Sequence, residues 1–440
     1  MKLTVIGCGY LGAVHAACMA ELGHDVLGMD TDADKVALLD SGAAPFHEPG
    51  LDELLARHTK TGRLRFTTSY QEAAAFGDLH FVGVGTPLQA DGQSYDLSHL
   101  FTAVRELAAH LHHAAVVAVK STVPVGTAHR VRGLVHATAP VGTLVQVAWN
   151  PEFLREGHAV GDTLRAERLV LGFESSGSRA ETVLRQCFVD LIEAGTPAVV
   201  TDLATAELVK SAANAFLATK ISFINAMAEV CEATGADVYR LAHALGHDSR
   251  IGWGALRPGL GFGGGCLPKD IRGFRSRAAE LLGAERGLAF LDEVGAINIR
   301  RRERTVELVR EQCDGALAGK RITVWGASFT PGTDDIRDSP ALAVAQSLHE
   351  LGARVTVTDP RALDKVRKDC PELACADDAV AAAEGADLLL HLTEWPQFAD
   401  VDPARFTAQA ACPVLIDGRG TLDAERWRAA GWIVRALGRP

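Results

Sequence analysis

The chain predicts an α/β fold: two doubly wound parallel-sheet units joined by a helical middle segment with one long central helix. Three observations predict it. Short apolar strands alternate with helical stretches through the first 200 residues. From 203 to about 233 the strands give way to a helical run with few breakers. From Lys320 the opening pattern returns, with Arg321-Ile322-Thr323-Val324-Trp325-Gly326 repeating Lys2-Leu3-Thr4-Val5-Ile6-Gly7 and residues 351–359 repeating 22–30. The expected domains are therefore 1–200, 201–312 and 313–440.

In the first unit, Leu3 to Ile6 reads as a buried strand that runs into Gly7-Cys8-Gly9-Tyr10-Leu11-Gly12 and then a helix. A second strand ends at Asp30, 18 residues beyond Gly12. Strand, G-x-G-x-x-G, helix, strand, acid is the dinucleotide fingerprint in its proper setting, that of a Rossmann unit. The first glycine permits the tight turn, the second lets a pyrophosphate rest on backbone, and the third lets helix and strand pack closely. Asp30 would bind both ribose hydroxyls and repel a 2′-phosphate, which favours NAD over NADP.

Further strands at 78–84, 115–119 and 144–148 each end in polar loops: Gly85-Thr86-Pro87, Lys120 to Thr127, and Asn150-Pro151-Glu152-Phe153-Leu154-Arg155-Glu156-Gly157. Ligands of an open parallel sheet bind beyond the carboxyl ends of its strands, so Thr86, Thr122, Glu152 and Glu156 are expected at one crevice. As caps or turn formers the threonines would be unremarkable. Glu152 and Glu156 are four apart and would share a face if the loop made a helical turn.

In the middle segment Lys210 and Asn214 form an i,i+4 pair among small and apolar residues, where a lysine is unusual. Long helices here offer a subunit interface. Beyond them Gly261-Phe262-Gly263-Gly264-Gly265-Cys266-Leu267-Pro268-Lys269-Asp270 crowds glycines before one cysteine. Glycine permits positive φ and close approach of a ligand. A helix starting near Pro268 would favour a thiolate at Cys266, which then serves as a nucleophile. A glycine-rich turn with a structural thiol is the plainer reading. The final unit lacks a full G-x-G-x-x-G, and strands at 387–392 and 414–417 complete its sheet.

Composition narrows the classes of function. A 440-residue chain with 48% hydrophobic and 22% charged residues is an ordinary globular protein. Its net charge of −11 argues against nucleic acid or anionic membrane as main partner. Met1 to Gly7 reads as a strand rather than a signal peptide, and no apolar run approaches a membrane span. Nine scattered cysteines without a CxxC pair suit a reduced cytoplasm, and no Cys/His cluster has metal spacing, so no metal is expected. His112-His113 reads as a solvated helix end.

Taken in order, these motifs resemble those of the UDP-glucose/GDP-mannose dehydrogenase family over nearly the whole chain. To those quoted above the resemblance adds His47-Glu48-Pro49-Gly50-Leu51, Glu207-Leu208-Val209-Lys210, and Pro331, Thr333-Asp334-Asp335 and Arg337. It implies two successive NAD-dependent oxidations at C6 of a nucleotide-linked hexose, UDP-glucose before GDP-mannose, giving the uronic acid. Cys266 would carry the aldehyde as thiohemiacetal and then thioester. Lys210 and Asp270 would manage water and protons, Lys210 would stabilise oxyanions, Asn214 would help hold the C6 oxygen, and Thr122 and Glu152 would position water or base. Gly7, Gly9, Tyr10, Leu11, Gly12, Asp30, Lys35, Thr86, Thr122, Glu156, Lys269 and Arg337 would contact NAD. Residues 152–156 (Glu152, Phe153, Leu154, Arg155, Glu156), Lys210, Asn214, Ala255, Leu256, Arg257, Pro258, Gly259 and Gly263 would meet the sugar nucleotide. Arg250 would reach the substrate of a neighbouring subunit, so at least a homodimer is implied.

Two positions depart from the resemblance. Thr330 stands where the family usually has lysine, and Ala255 where it often has an aromatic residue. Both bear on substrate identity, whereas Gly-Cys-Leu-Pro-Lys-Asp at 265–270 fits oxidation of UDP-glucose or GDP-mannose better than of UDP-N-acetylmannosamine. The rivals are a two-electron alcohol dehydrogenase, which needs no cysteine, and a silent sugar-nucleotide- or NAD-binding regulator.

Overall fold

The computed structural model describes residues 1–407 and 413–439. The chain divides into two compact units, one of Met1–Ala213 with Arg272–Gly283, the other of Asn214–Ile271 with the residues from Ala284 onward. The helix Leu203–Thr234 starts in the first and continues in the second.

The first unit holds an eight-stranded sheet of β1 (Lys2–Ile6), β2 (Asp25–Met29), β3 (Leu64–Thr67), β4 (Leu79–Val82), β5 (Val116–Val119), β6 (Gln146–Trp149), β7 (Leu169–Phe173) and β8 (Ala198–Asp202). Its order is β3-β2-β1-β4-β5-β6-β7-β8. The first six strands are parallel, and β7 joins antiparallel to β6 through Trp149 and Gly172. Central strands such as β5, Val-Val-Ala-Val, are buried on both faces, as a helix-covered parallel sheet requires. The edge strands β3 and β8 keep partly exposed residues. One face packs Leu3 and Val5 against Ala13, Ala16 and Ala17. The other packs Val117 and Val119 against Leu100, Val104 and Val131.

The second unit holds β9 (Arg321–Trp325), β10 (Arg354–Thr358), β11 (Ala374–Cys375), β12 (Leu388–His391), β13 (Val414–Asp417) and β14 (Ile433–Ala436). Their order, β11-β10-β9-β12-β13-β14, reproduces the order of the first six strands, and every pairing is parallel. The repeat seen in the sequence is thus a structural one. Gly7 and Gly326 both take positive φ (88° and 106°) and both donate their N–H across the sheet, to Met29 O and Thr358 O at 2.8 Å. Along β9 the period of two sends Ile322 and Val324 to a Leu342 and Leu348 core and Trp325 to a Phe398, Phe406 and Trp427 core.

The helical part of the second unit has its own core, in which Ile224, Ala228 and Cys231 meet Val238, Ala242 and Leu256. The helix Val238–Gly246 begins at Asp237, whose side chain accepts from the N–H groups of Tyr239 and Arg240. Helices Leu267–Leu282 and Phe290–Gln312 follow.

Candidate active site

In the first unit the fingerprint forms the turn its glycines predict. A Cβ on Gly12 would lie 1.8 Å from Gly7 O, so only glycine allows the helix Tyr10–Glu21 to start against the strand. At Gly9 a Cβ would meet nothing within 4 Å, which leaves that surface open to a ligand. Asp30, 9% exposed, accepts from Cys8 N–H at 2.8 Å and pairs with Lys35 Nζ at 3.2 Å. Open backbone at Gly9 beside a fixed, partly neutralised carboxylate fits a pyrophosphate and a ribose diol. Cys8 itself is wholly buried, and burial pushes its thiol far up, so it packs rather than reacts.

The loops after β4, β5 and β6 are fastened to one another. Thr86 Oγ1 donates to Thr122 O at 2.7 Å, and Ser121 Oγ donates to Val84 O at 2.7 Å. Lys120, 5% exposed, donates to Asn150 Oδ1 at 2.9 Å and pairs with Glu152 Oε2 at 3.0 Å. Glu152 Oε1 accepts from the Phe153 and Leu154 N–H groups at 2.7 and 3.1 Å. Burial pushes the Glu152 carboxyl up, but Lys120, the Phe153 N–H and the Lys210 charge together outweigh it and the group lies below its ordinary value. Glu152 is therefore held as a carboxylate, able to accept a proton or orient water. Lys210 Nζ sits 5.5 Å from the Phe153 ring centroid.

Residues 151–155 form no helical turn, so the shared face expected for Glu152 and Glu156 does not exist. Glu152 spends Oε1 on the loop's own amides, and that local capping competes with helix. Arg155 is engaged with Asp162 through its backbone N–H at 2.9 Å and two guanidinium hydrogen bonds of 2.9 and 2.7 Å.

In the second unit Cys266 is exposed immediately before the helix Leu267–Leu282, whereas Cys18, Cys187, Cys231, Cys313 and Cys370 are buried. The helix N-terminus favours negative charge at such a position. Asp270, one turn on, donates its N–H to Cys266 O at 2.8 Å. Its side chain is buried and accepts from Asn214 Nδ2 and Lys269 Nζ, both at 2.7 Å. Three of the expected catalytic and cofactor residues, Asn214, Lys269 and Asp270, thus form one network beside Cys266. Lys210 lies one turn earlier than Asn214 on the same helix.

The glycine loop needs its glycines. Gly264, at φ +84°, would place a Cβ 2.8 Å from the Phe329 ring, and Gly265 one 2.4 Å from the Arg337 guanidinium. Gly264 N–H donates to Arg337 O at 3.0 Å, and Arg337 is paired with Asp335 at 2.6 Å. Of the expected sugar-nucleotide loop, Gly259 donates to Asn225 Oδ1 at 2.9 Å and accepts from Arg301 Nε at 3.3 Å. Ala255 has positive φ, 62°, a conformation a bulkier residue there would share at a cost. Arg250 is exposed and pairs with Asp248 at 2.6 Å. Thr330 is half-buried.

Sequence reasoning missed Lys120, Asn225, Arg301 and Glu207 as holders of these loops. Lys120 had a signal: a lysine at the end of a wholly apolar strand must find a partner. The other three had none, because their partners are backbone groups far away in sequence. Among the described residues no cluster of three or more His, Cys, Asp or Glu could hold a metal, and no helix is long and apolar enough to cross a membrane.

Comparison with known proteins agrees with this geometry along the whole chain. Residues 1–215, 204–300 and 323–424 match the NAD binding, central and UDP binding domains of one family. The chain is 40% identical to UDP-glucose 6-dehydrogenase of Rhizobium meliloti, covering 100% of both chains, and 41% identical to that of Pseudomonas aeruginosa, covering 100% of this chain and 98% of the other. A solved UDP-glucose dehydrogenase from the hyperthermophilic archaeon Pyrobaculum islandicum superposes with a TM-score of 0.90 at 37% identity, covering 100% of this chain and 98% of that one. A dinucleotide turn with Asp30 beside it, an exposed cysteine just ahead of a helix with Asp270 and Asn214, and unbroken similarity from end to end place this chain in the UDP-glucose/GDP-mannose dehydrogenase family, as an NAD-dependent oxidoreductase.

Proposed function

We propose that the protein oxidises the C6 hydroxyl of UDP-glucose twice, to UDP-glucuronate, with Cys266 as covalent carrier between the two steps. The observation that carries this reading is Cys266 exposed at a helix N-terminus with Asp270 buried one turn on, fixed by Asn214 and Lys269. NAD⁺, bound at Gly7–Gly12, Asp30, Lys35, Thr86, Thr122 and Glu156 with Lys269 and Arg337, supplies the acceptor for each hydride. In the first step C6 loses a hydride and its hydroxyl loses a proton, leaving an aldehyde. A second hydride leaves readily only from a tetrahedral carbon, so the Cys266 thiolate adds to the aldehyde and the oxygen takes up negative charge. Lys210 and Asn214 stabilise that oxyanion. Loss of the second hydride leaves a thioester. Water, held by Thr122, Glu152 and Asp270, adds to it, and the C–S bond breaks to return the thiolate and the carboxylic acid. Keeping the aldehyde covalently bound prevents its escape.

In this reading residues 1–200 bind NAD, 201–312 carry the catalytic loop, and 313–440 hold the UDP end. Residues 152–156, 255–259 and Gly263 line the sugar. The enzyme is cytoplasmic and at least a homodimer, with Arg250 serving the neighbouring subunit's substrate. Exposed Phe216, Phe223 and Val230, seven residues apart along one helix, support an apolar subunit contact there. Thr330 and Ala255 favour a second reading, in which the hexose is carried by another nucleotide, GDP-mannose first.

NADH formed per mole of limiting sugar nucleotide, measured in parallel for UDP-glucose and GDP-mannose, tests both readings. Two NADH per UDP-glucose is expected, with the yield lost in Cys266→Ala. One NADH, unaffected by that substitution, would leave a two-electron alcohol dehydrogenase. No NADH from either sugar, with NAD still bound, would leave a different substrate or a silent binding protein.

A further inference from the structure

Glu48 lies in the motif His47-Glu48-Pro49-Gly50-Leu51, for which the chemistry above has no use. Its side chain is 3% exposed, and both carboxylate oxygens are occupied. Oε2 accepts from the Tyr10 hydroxyl and from Gly157 N–H at 2.8 Å. Oε1 accepts from Ala159 N–H at 2.7 Å and, more distantly, from Val160 N–H at 3.4 Å. Gly157 N–H is also within 3.1 Å of the Tyr10 oxygen. Burial, and then the Glu48 carboxylate, push the Tyr10 phenol well above its ordinary value, so it remains a donor.

These donors come from two functional segments. Tyr10 opens the helix of the dinucleotide turn, between Gly9 and Gly12. Gly157, at φ +84°, closes the loop that carries Glu152 and Glu156. A buried carboxylate is costly unless all its donors are in place, so displacing either segment strands the same charge. The Phe46 ring packs tilted against Tyr10, with centroids 4.6 Å apart.

We propose that Glu48 is a positioning residue that couples the cofactor turn to the Glu152–Glu156 loop, so that dinucleotide bound at one orders the other. The inference rests on the roles given above to Glu152 and Glu156, but its test does not require turnover. NADH affinity, by fluorescence titration, and hydrogen exchange of the peptide covering 155–160, with and without NADH, are measured for the wild type, Glu48→Gln and Tyr10→Phe. In the wild type NADH is expected to slow exchange at Gly157 and Ala159. Tyr10→Phe cuts the link but leaves Glu48 its three amides. It should weaken NADH binding several-fold and abolish the NADH-dependent protection while the melting temperature stays close to that of the wild type. Glu48→Gln turns an acceptor into a donor facing amides and should weaken NADH binding about ten-fold. In turnover with UDP-glucose, both variants should raise KM for NAD more than they lower kcat. Unchanged NADH affinity and persistent NADH-dependent protection in Tyr10→Phe would overturn the coupling, whether or not Glu48→Gln folds. If the wild type turns over no UDP-glucose but the exchange result holds, only the substrate reading fails.

Discussion

Several buried carboxylates in this protein hold backbone amides. Glu207 is 2% exposed, and its carboxyl accepts from Gly126 and Ala128 N–H at 2.8 and 2.5 Å, capping the helix Thr127–Thr138 just beyond the Thr122 loop. Burial pushes Glu207 up to about 7, although the amides of Gly126, Ala128 and Thr127 and the Arg277 charge pull the other way. A carboxyl raised in the fold contributes stability that is fully present below its unfolded value and is lost as pH rises through about 7. The contribution is on the order of 3 kcal/mol. Melting temperatures of wild type and Glu207→Gln across pH 5 to 8 check this. The wild type should lose stability over that range relative to the variant, and parallel curves would refute the assignment. The sequence could place Glu207 next to Lys210 but not opposite Gly126, because a side chain capping a helix some 80 residues away leaves no local pattern. Asp30 was legible because its partner turn precedes it at a spacing set by one βαβ unit.

Among the elements, the loop that precedes the helix Leu267–Leu282 is the most constrained. Its glycines are required by Phe329, Arg337 and Asp338, which approach its backbone closely. Gly264→Ala should cost about 1–2 kcal/mol for the positive φ, and more for the contact with Phe329. Denaturant unfolding of Gly264→Ala alone and combined with Phe329→Ala separates the two contributions. The double variant should regain the steric part and keep the backbone part. A Gly264→Ala protein as stable as the wild type would show that the loop tolerates a side chain. Crowded glycines announced this loop in the sequence, but the residues that crowd it come from the segment after β9, and only pairing of β9 with β10 and β12 brings that segment into place. The loop after β6 shows the opposite case. Glu152 and Glu156 sit at helical spacing, yet Glu152 turns back on its own amides and Lys120 fixes it there.

For the molecule as a whole, two sheets of the same strand order serve different ends. Asp30 and Asp359 end corresponding strands and accept from corresponding amides, Cys8 N–H at 2.8 Å and Ala327 N–H at 2.7 Å. Asp30 adds the Asp32 N–H at 3.1 Å and Lys35, whereas Asp359 also takes the Ser328 N–H and the Trp395 indole, both within 3.1 Å, and is closed off. The second sheet therefore offers a closed carboxylate at this position, in keeping with its incomplete glycine fingerprint. Phe223 is 49% exposed between Phe216 and Val230 on one helix, and Phe223→Asp should convert the proposed dimer to monomers in sedimentation. A wild-type monomer, or an unchanged dimer in the variant, would remove that helix from the interface.

The sequence by itself determined the two sheets, the long helix, the dinucleotide turn with Asp30, and the cysteine loop. Each is a local pattern, whether a period of two, a period of 3.6 or glycines at fixed offsets, and local patterns survive in one dimension. Tertiary structure alone decided that Lys120 fixes Glu152, that Asn214 and Lys269 converge on Asp270, that Glu48 joins the turn at Tyr10 to the loop at Gly157, and that Trp395 closes off Asp359. Each of these unites a buried charge with at least one donor from a distant segment. The physical need for partners is visible in the sequence, but which groups meet it is settled only when the sheets and helices pack.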